Sequence, residues 1–99
     1  MDVIDTKSIY QDVLQMQLDE WRLEIRRMRA RAKYAEEGVK YFYFEQLDAL
    51  VKKRERVESK LSKLRNVRKR SNWKKLRFDF EKSWDDLAKS MKVVELKMH

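Results

Sequence analysis

Few side chains in this sequence have types and spacing suited to chemistry. Histidine occurs once, at His99, and cysteine not at all. A nucleophile paired with an imidazole base therefore has nowhere to form, and neither does a thiolate or His-rich metal site. The acidic neighbours Glu36–Glu37 and Asp85–Asp86 are adjacent in sequence. On a helix they point about 100° apart, so they do not share one proton as a catalytic dyad does. Glu-x-x-His, the ligand pair of di-iron bundles, is missing. With Gly38 as the single glycine, no phosphate-cradling loop exists. The expectation is a protein that is not an enzyme, with no cofactor, metal ligand or small-molecule substrate.

What remains is positive charge. The net charge of +8 is unevenly placed. Residues 1–50 carry 8 basic and 10 acidic side chains; residues 51–77 carry 13 basic and 2 acidic, a net +11; residues 78–99 carry 4 and 5. The candidate basic surface is Arg65, Arg68, Lys69, Arg70, Lys74 and Lys75. Such asymmetry suits an anionic partner, whether nucleic acid, a membrane surface or an acidic protein. The plainer alternative is a solvated helix face that keeps the chain in solution.

The elements that must carry these residues are helices. Apolar or small residues fall at Leu14, Leu18, Trp21, Ile25, Met28, Ala32, Ala35, Val39 and Phe42, in steps that alternate four and three. This is the 3.5-residue repeat of a helix lying along another helix. Arg22, Arg26, Arg29 and Lys33 form one stripe on its outer side. After Gly38 the seam continues one residue out of phase, through Tyr43, Leu47, Leu50, Val57, Leu61 and Leu64, with Arg54 at the missing apolar position. A phase change of this kind is a stutter. Tyr41, Phe42, Tyr43 and Phe44 sit at the changeover. Four consecutive helical residues spread over about 300° of circumference, so one stripe does not bury all four. A last helix carries Trp73, Leu76, Phe80, Trp84, Leu87, Met91 and Val94, in which Trp-x-x-Leu recurs after eleven residues. All three tryptophans lie on apolar stripes, and Met16, Met28 and Met91 are expected to fill gaps.

The fold expected is all-α: a long helix over about 7–69 and a C-terminal helix over about 72–97, forming a coiled-coil hairpin in a single domain of 1–99. Residues 1–6 are expected as a frayed lead, with Asp5 or Thr6 as an N-cap, and 97–99 as a frayed end. The break between the helices is expected within Asn66–Asn72, with Ser71 as cap. Continuity through Gly38 is favoured by the Glu36–Lys40 spacing and by the lack of turn residues beside the glycine. The alternative is a three-helix bundle that breaks at Gly38 and near Ser71. The absence of Pro argues for long helices. No run of 18 apolar residues exists to span a membrane, and the acidic first residues do not read as a signal peptide.

Gln17-Leu18-Asp19-Glu20-Trp21, Glu24-Ile25, Ala30, Ala32 and Ala35, then Tyr43, Gln46-Leu47, Leu50, Lys53-Arg54, Lys60-Leu61, Leu64, Trp73, Leu76, Glu81-Lys82 and Trp84-Asp85-Asp86-Leu87, resemble small bacterial coiled-coil proteins described as stress-responsive. The resemblance covers roughly residues 14–91. It implies a non-enzymatic helical protein of poorly defined mechanism; separately, a cytoplasmic location is expected. It also implies an acid-rich chain, from which residues 51–77 depart.

The function expected is that of an interaction or scaffold protein. It would form a homo-oligomer or dock to a protein partner through the apolar seam and the basic block. Sequence-independent nucleic-acid binding through residues 51–77 is an alternative. Another is association with an anionic membrane surface through the amphipathic last helix, which would make the protein peripheral to a membrane.

Overall fold

The computed structural model describes the backbone of residues 3–66 and 70–98, and the side chains of 10–66 and 72–98. The chain forms three helices: α1 (Val3–Ala32), α2 (Glu37–Asn66) and α3 (Arg70–Lys97). No strand occurs among the described residues. Cross-helix partners fix the directions. Arg22 meets Glu58 and Arg29 meets Asp48, so α1 and α2 are antiparallel. Lys53 meets Asp86, and Tyr43 Oη donates to the Lys97 carbonyl at 3.2 Å, so α2 and α3 are antiparallel too. The assembly measures 53 × 23 × 18 Å.

One core runs between the helices. Leu18, Ile25, Met28 and Ala32 of α1 are buried in it with Leu47, Leu50, Val57, Leu61 and Leu64 of α2 and Phe80, Leu87, Met91 and Val94 of α3. Leu14, Trp21, Tyr43, Phe44, Trp73, Leu76 and Trp84 pack against it, partly buried. The heptad positions thus point inward on all three helices, because each amphipathic face is covered by its neighbours. Trp21 and Trp84 join α1 to α3 with ring centroids 4.8 Å apart, and Phe80 stacks on Trp84 at 5.7 Å.

The continuous helix through Gly38 is not formed. The chain turns at residues 33–36 instead, and Gly38 is the second residue of α2. Glycine is not the agent of this turn, since no described residue has positive φ. The last turn of α1 tightens: Tyr34 N donates to Arg31 O and Ala35 N to Ala32 O, both at 3.1 Å. These three-residue bonds satisfy carbonyls that the α-helical pattern leaves open at a helix end. The Glu36 carbonyl then accepts from Val39 N and Lys40 N at 2.9 Å, starting α2. Lys40 pairs with Glu37 at 3.8 Å rather than with Glu36. An unbroken helix over 7–69 would be about 95 Å long, with much of its seam uncovered. Folding back buries that seam, and this outweighs the cost of one turn.

The turn explains the seam's lapse at Val39 and Phe42. Both belong to the α1 heptads in the sequence pattern, yet they sit in the first turns of α2 at 37% and 40% exposure. Of the four consecutive aromatics, Tyr43 and Phe44 pack on the core while Tyr41 and Phe42 face out.

The ends differ from expectation as well. Helix α1 already includes Val3, so Asp5 and Thr6 lie inside it rather than capping it; the rest of the proposed lead lies outside the described residues. Helix α3 already includes Ser71 and Asn72. Their weak intrinsic preference for irregular backbone, a few tenths of a kcal/mol each, is outweighed by the packing of Trp73 and Leu76 within the next turn. The remainder of that expected break, residues 67–69, lies outside the described residues. Lys97 is still helical and Met98 N donates to Val94 O at 3.0 Å; His99 is not described.

Candidate functional site

The sequence-predicted seam and the sequence-predicted basic surface have different fates. Leu18, Ile25, Met28, Leu47, Leu50, Val57, Leu61, Leu64, Phe80 and Leu87 are buried by the chain's own helices. Leu14, Trp21, Trp73, Leu76 and Trp84 are partly buried against the same core, and of the described seam positions only Val39 and Phe42 are exposed. The basic residues are on the outside. Arg65, Lys74 and Lys75 are exposed; Arg68 and Lys69, and the side chain of Arg70, lie outside the described residues. Lys74 and Lys75 form no ion pair among the described residues, and neither does Lys63, one turn before the end of α2. Arg65 reaches Asp12 of α1 only at 4.0 Å and the Gln11 carbonyl at 3.4 Å. These cations share the end of the molecule where α2 finishes and α3 begins. Lone lysines there repel one another and attract anions.

A second concentration of charge was only half visible in the sequence. The outer stripe of α1 faces α2 across an open groove of about 300 Å³, lined by Arg22, Ile25, Arg26, Arg29, Val51 and Arg54. Arg54 occupies the apolar-spaced position of α2 and is only 11% exposed. Glu58 takes Arg54 at 2.9 Å and Arg22 at 3.5 Å, and Asp48 takes Arg29 at 2.9 Å. Arg26 has no ion-pair partner among the described residues. The signal in the sequence was Arg54 itself, a cation where the heptad calls for an apolar side chain. Its four-arginine setting depends on how α1 packs, which no spacing reveals.

A third grouping escaped sequence reasoning. Lys53 Nζ donates to Ser90 Oγ at 2.7 Å and to Asp86 Oδ1 at 3.3 Å, across a shallow groove between α2 and α3. Serine beside lysine invites comparison with Ser–Lys nucleophilic sites, where a neutral amine takes the hydroxyl proton. Here the ammonium is the donor and holds a carboxylate too. Both residues lie inside helices, whose backbone N–H groups are engaged and offer no oxyanion hole. The arrangement ties α3 to α2. Of the neighbours Asp85 and Asp86, Asp86 reaches across to α2, while Asp85 forms no ion pair among the described residues.

No group of three or more metal-ligating side chains comes together among the described residues, and no described helix is long and apolar enough to cross a membrane. No family model matches this chain, and no match was found among curated proteins or solved structures.

Proposed function

We propose that this protein is a non-enzymatic interaction module: a compact three-helix bundle closed within one chain, which docks on an acidic protein partner through its basic end. The observation that carries this reading is the division of labour between seam and surface. The heptad residues are spent on the chain's own core, while Lys63, Lys74 and Lys75 stand exposed and without an ion-pair partner among the described residues, beside Arg68, Lys69 and Arg70 in sequence. The predicted seam is thus spent on the core, and the exposed apolar side chains, among them Val13, Met16, Phe78 and Leu96, lie off it, so the basic end is the surface we assign to a partner. Contacts of this kind steer encounter and fix orientation more than they add affinity.

Sequence-independent nucleic-acid binding is the second reading, favoured by the same exposed lysines, Lys63, Lys74 and Lys75, and the basic residues beside them in sequence. It predicts a steep fall in affinity between about 50 and 200 mM salt, since each neutralised phosphate releases counterions. Binding to an anionic membrane by α3 is less favoured. Phe80, Leu87, Met91 and Val94 face the core, so α3 would have to leave it first.

Co-purification from the native host after nuclease treatment separates these readings. Wild type is compared with a variant carrying Gln at Arg68, Lys69, Arg70, Lys74 and Lys75. A protein partner lost only from the variant supports docking through the basic end. Material that disappears with nuclease favours nucleic acid. Recovery of self-oligomers alone, equal in both, returns the basic block to a solvating role and makes self-assembly the function.

A further inference from the structure

The groove between α1 and α2 is built differently from the rest of the basic surface. The exposed described cations of α2 and early α3 mix lysine (Lys52, Lys63, Lys74, Lys75) with arginine (Arg56, Arg65, Arg77), whereas every cation that lines the groove is an arginine: Arg22, Arg26, Arg29 and Arg54. Two carboxylates, Glu58 and Asp48, answer these four guanidinium groups. The local excess is two positive charges, with Arg26 wholly uncompensated among the described residues. The Nε–H groups of Arg29 and Arg54 are both out of solvent and have no acceptor in the protein. A guanidinium presents Nε–H and one Nη–H as a parallel fork that fits two oxygens of a carboxylate or phosphate. Two of the groove's guanidinium groups thus each carry an Nε–H that the protein leaves unpaired, although a terminal nitrogen of each is held by Asp48 or Glu58.

Arg54 sharpens the point. Its place in α2 follows Leu50 and precedes Val57 and Leu61 on the apolar spacing, and an aliphatic side chain there would extend the core without desolvating a cation. Removing a charge from water is unfavourable unless its partners compensate. Glu58 compensates Arg54 only in part, because it also serves Arg22. An aliphatic side chain would serve packing at this position about as well as the Arg54–Glu58 pair does, and the arginine adds a donor for an anion in the groove. The floor, Ile25 and Val51, is apolar, and a low-dielectric floor strengthens the attraction.

We propose that the α1–α2 groove is an oxyanion site that takes one phosphoryl group, as inorganic phosphate or on a small phosphate ester. A dianion matches the excess of two charges. Its tetrahedral oxygens would meet the exposed Arg26, and would take the unpaired Nε–H groups of Arg29 and Arg54 once those side chains turn toward the groove. This site is separate from the basic end and does not depend on what docks there.

The test is thermal unfolding and arginine Nε–Hε NMR of the full chain, titrated with sodium phosphate, with glycerol phosphate, and with sodium chloride at matched ionic strength. Phosphate is expected to raise the melting temperature beyond the chloride control and to move a subset of Nε–Hε signals saturably. Arg26→Gln, at an exposed unpaired position, is expected to weaken phosphate binding at least tenfold without lowering the melting temperature in chloride. Arg54→Met is expected to abolish the effect, with helicity checked by circular dichroism. A Lys63→Gln/Lys74→Gln/Lys75→Gln variant is expected to bind phosphate as wild type does, although it would weaken docking at the basic end. Tighter binding of glycerol phosphate assigns the site to an ester, and equal binding to the free ion. Equal responses to phosphate and chloride, or equal losses in Arg26→Gln and the triple-lysine variant, would overturn the proposal.

Discussion

Gly38 sits inside a helix, without positive φ, and a Cβ added there meets nothing within 4 Å. Its backbone freedom is consequently a cost to the folded state and not a requirement of the turn. Gly38→Ala is expected to stabilise the protein by about 0.5 kcal/mol and raise the melting temperature by about 2–4 °C. A fall on calorimetry would mean that the turn does need a left-handed residue. The sequence pattern marked Gly38 as the point of doubt, yet the turn falls just before it. Residues 33–36 contain no Gly, Pro or Asn, and the bonds that close them are ordinary helix-end bonds. No residue type announces such a turn. Arg54 was legible in the opposite sense: the lapse in spacing was plain, but the arginines it meets came from another helix.

Between elements, heptad spacing carried furthest. It identified Leu18, Ile25, Met28, Leu47, Leu50, Val57, Leu61 and Leu64 as inward-facing, and all are buried. Periodicity reads which face of a helix is covered and says nothing about how many helices cover it, so the core was legible while the connectivity was not. Leu61 is among the most deeply buried of these. Leu61→Ala is expected to cost about 2–5 kcal/mol, and Leu61→Asp to abolish the cooperative transition. A sharp melt retained in the aspartate variant would remove Leu61 from the core. The link between α1 and α3 rests on rings, with Trp21 and Trp84 in tilted contact. A double-mutant cycle of Trp21→Leu and Trp84→Leu should return a coupling of about 0.5–1.5 kcal/mol. Strictly additive losses would mean that α1 and α3 are each held by α2 alone.

For the whole molecule, shape is the deciding quantity. The folded chain has a Cα radius of gyration of 16.2 Å and a longest extent of 53 Å. Small-angle X-ray scattering at low concentration should give a maximum dimension close to this extent plus side chains and hydration. A value near the 95 Å of an unbroken 7–69 helix (about 1.5 Å per residue) would mean that α1 and α2 are not folded back in solution. Charge acts at this scale too. With a net +8, self-repulsion opposes compaction. Added chloride should therefore raise the melting temperature modestly by screening the excess, and a fall would show that the surface ion pairs matter more than the repulsion.

The turn at 33–36 has a further consequence. It is closed by helix-type bonds alone, and the four-three spacing passes through it unbroken from Ala32 to Val39. A straightened rod would therefore need only helical dihedrals at 33–36, since no described residue there is held in the left-handed region. Straightening frees α1 from its own α2, and the nearest matching surface is the α2 of a second molecule. Exchange of α1 between two chains would preserve each core contact and lose only the turn. Refolding at high concentration is then expected to yield interlocked dimers that persist on dilution, and shortening the hinge by deleting Ala35 and Glu36 should raise their yield.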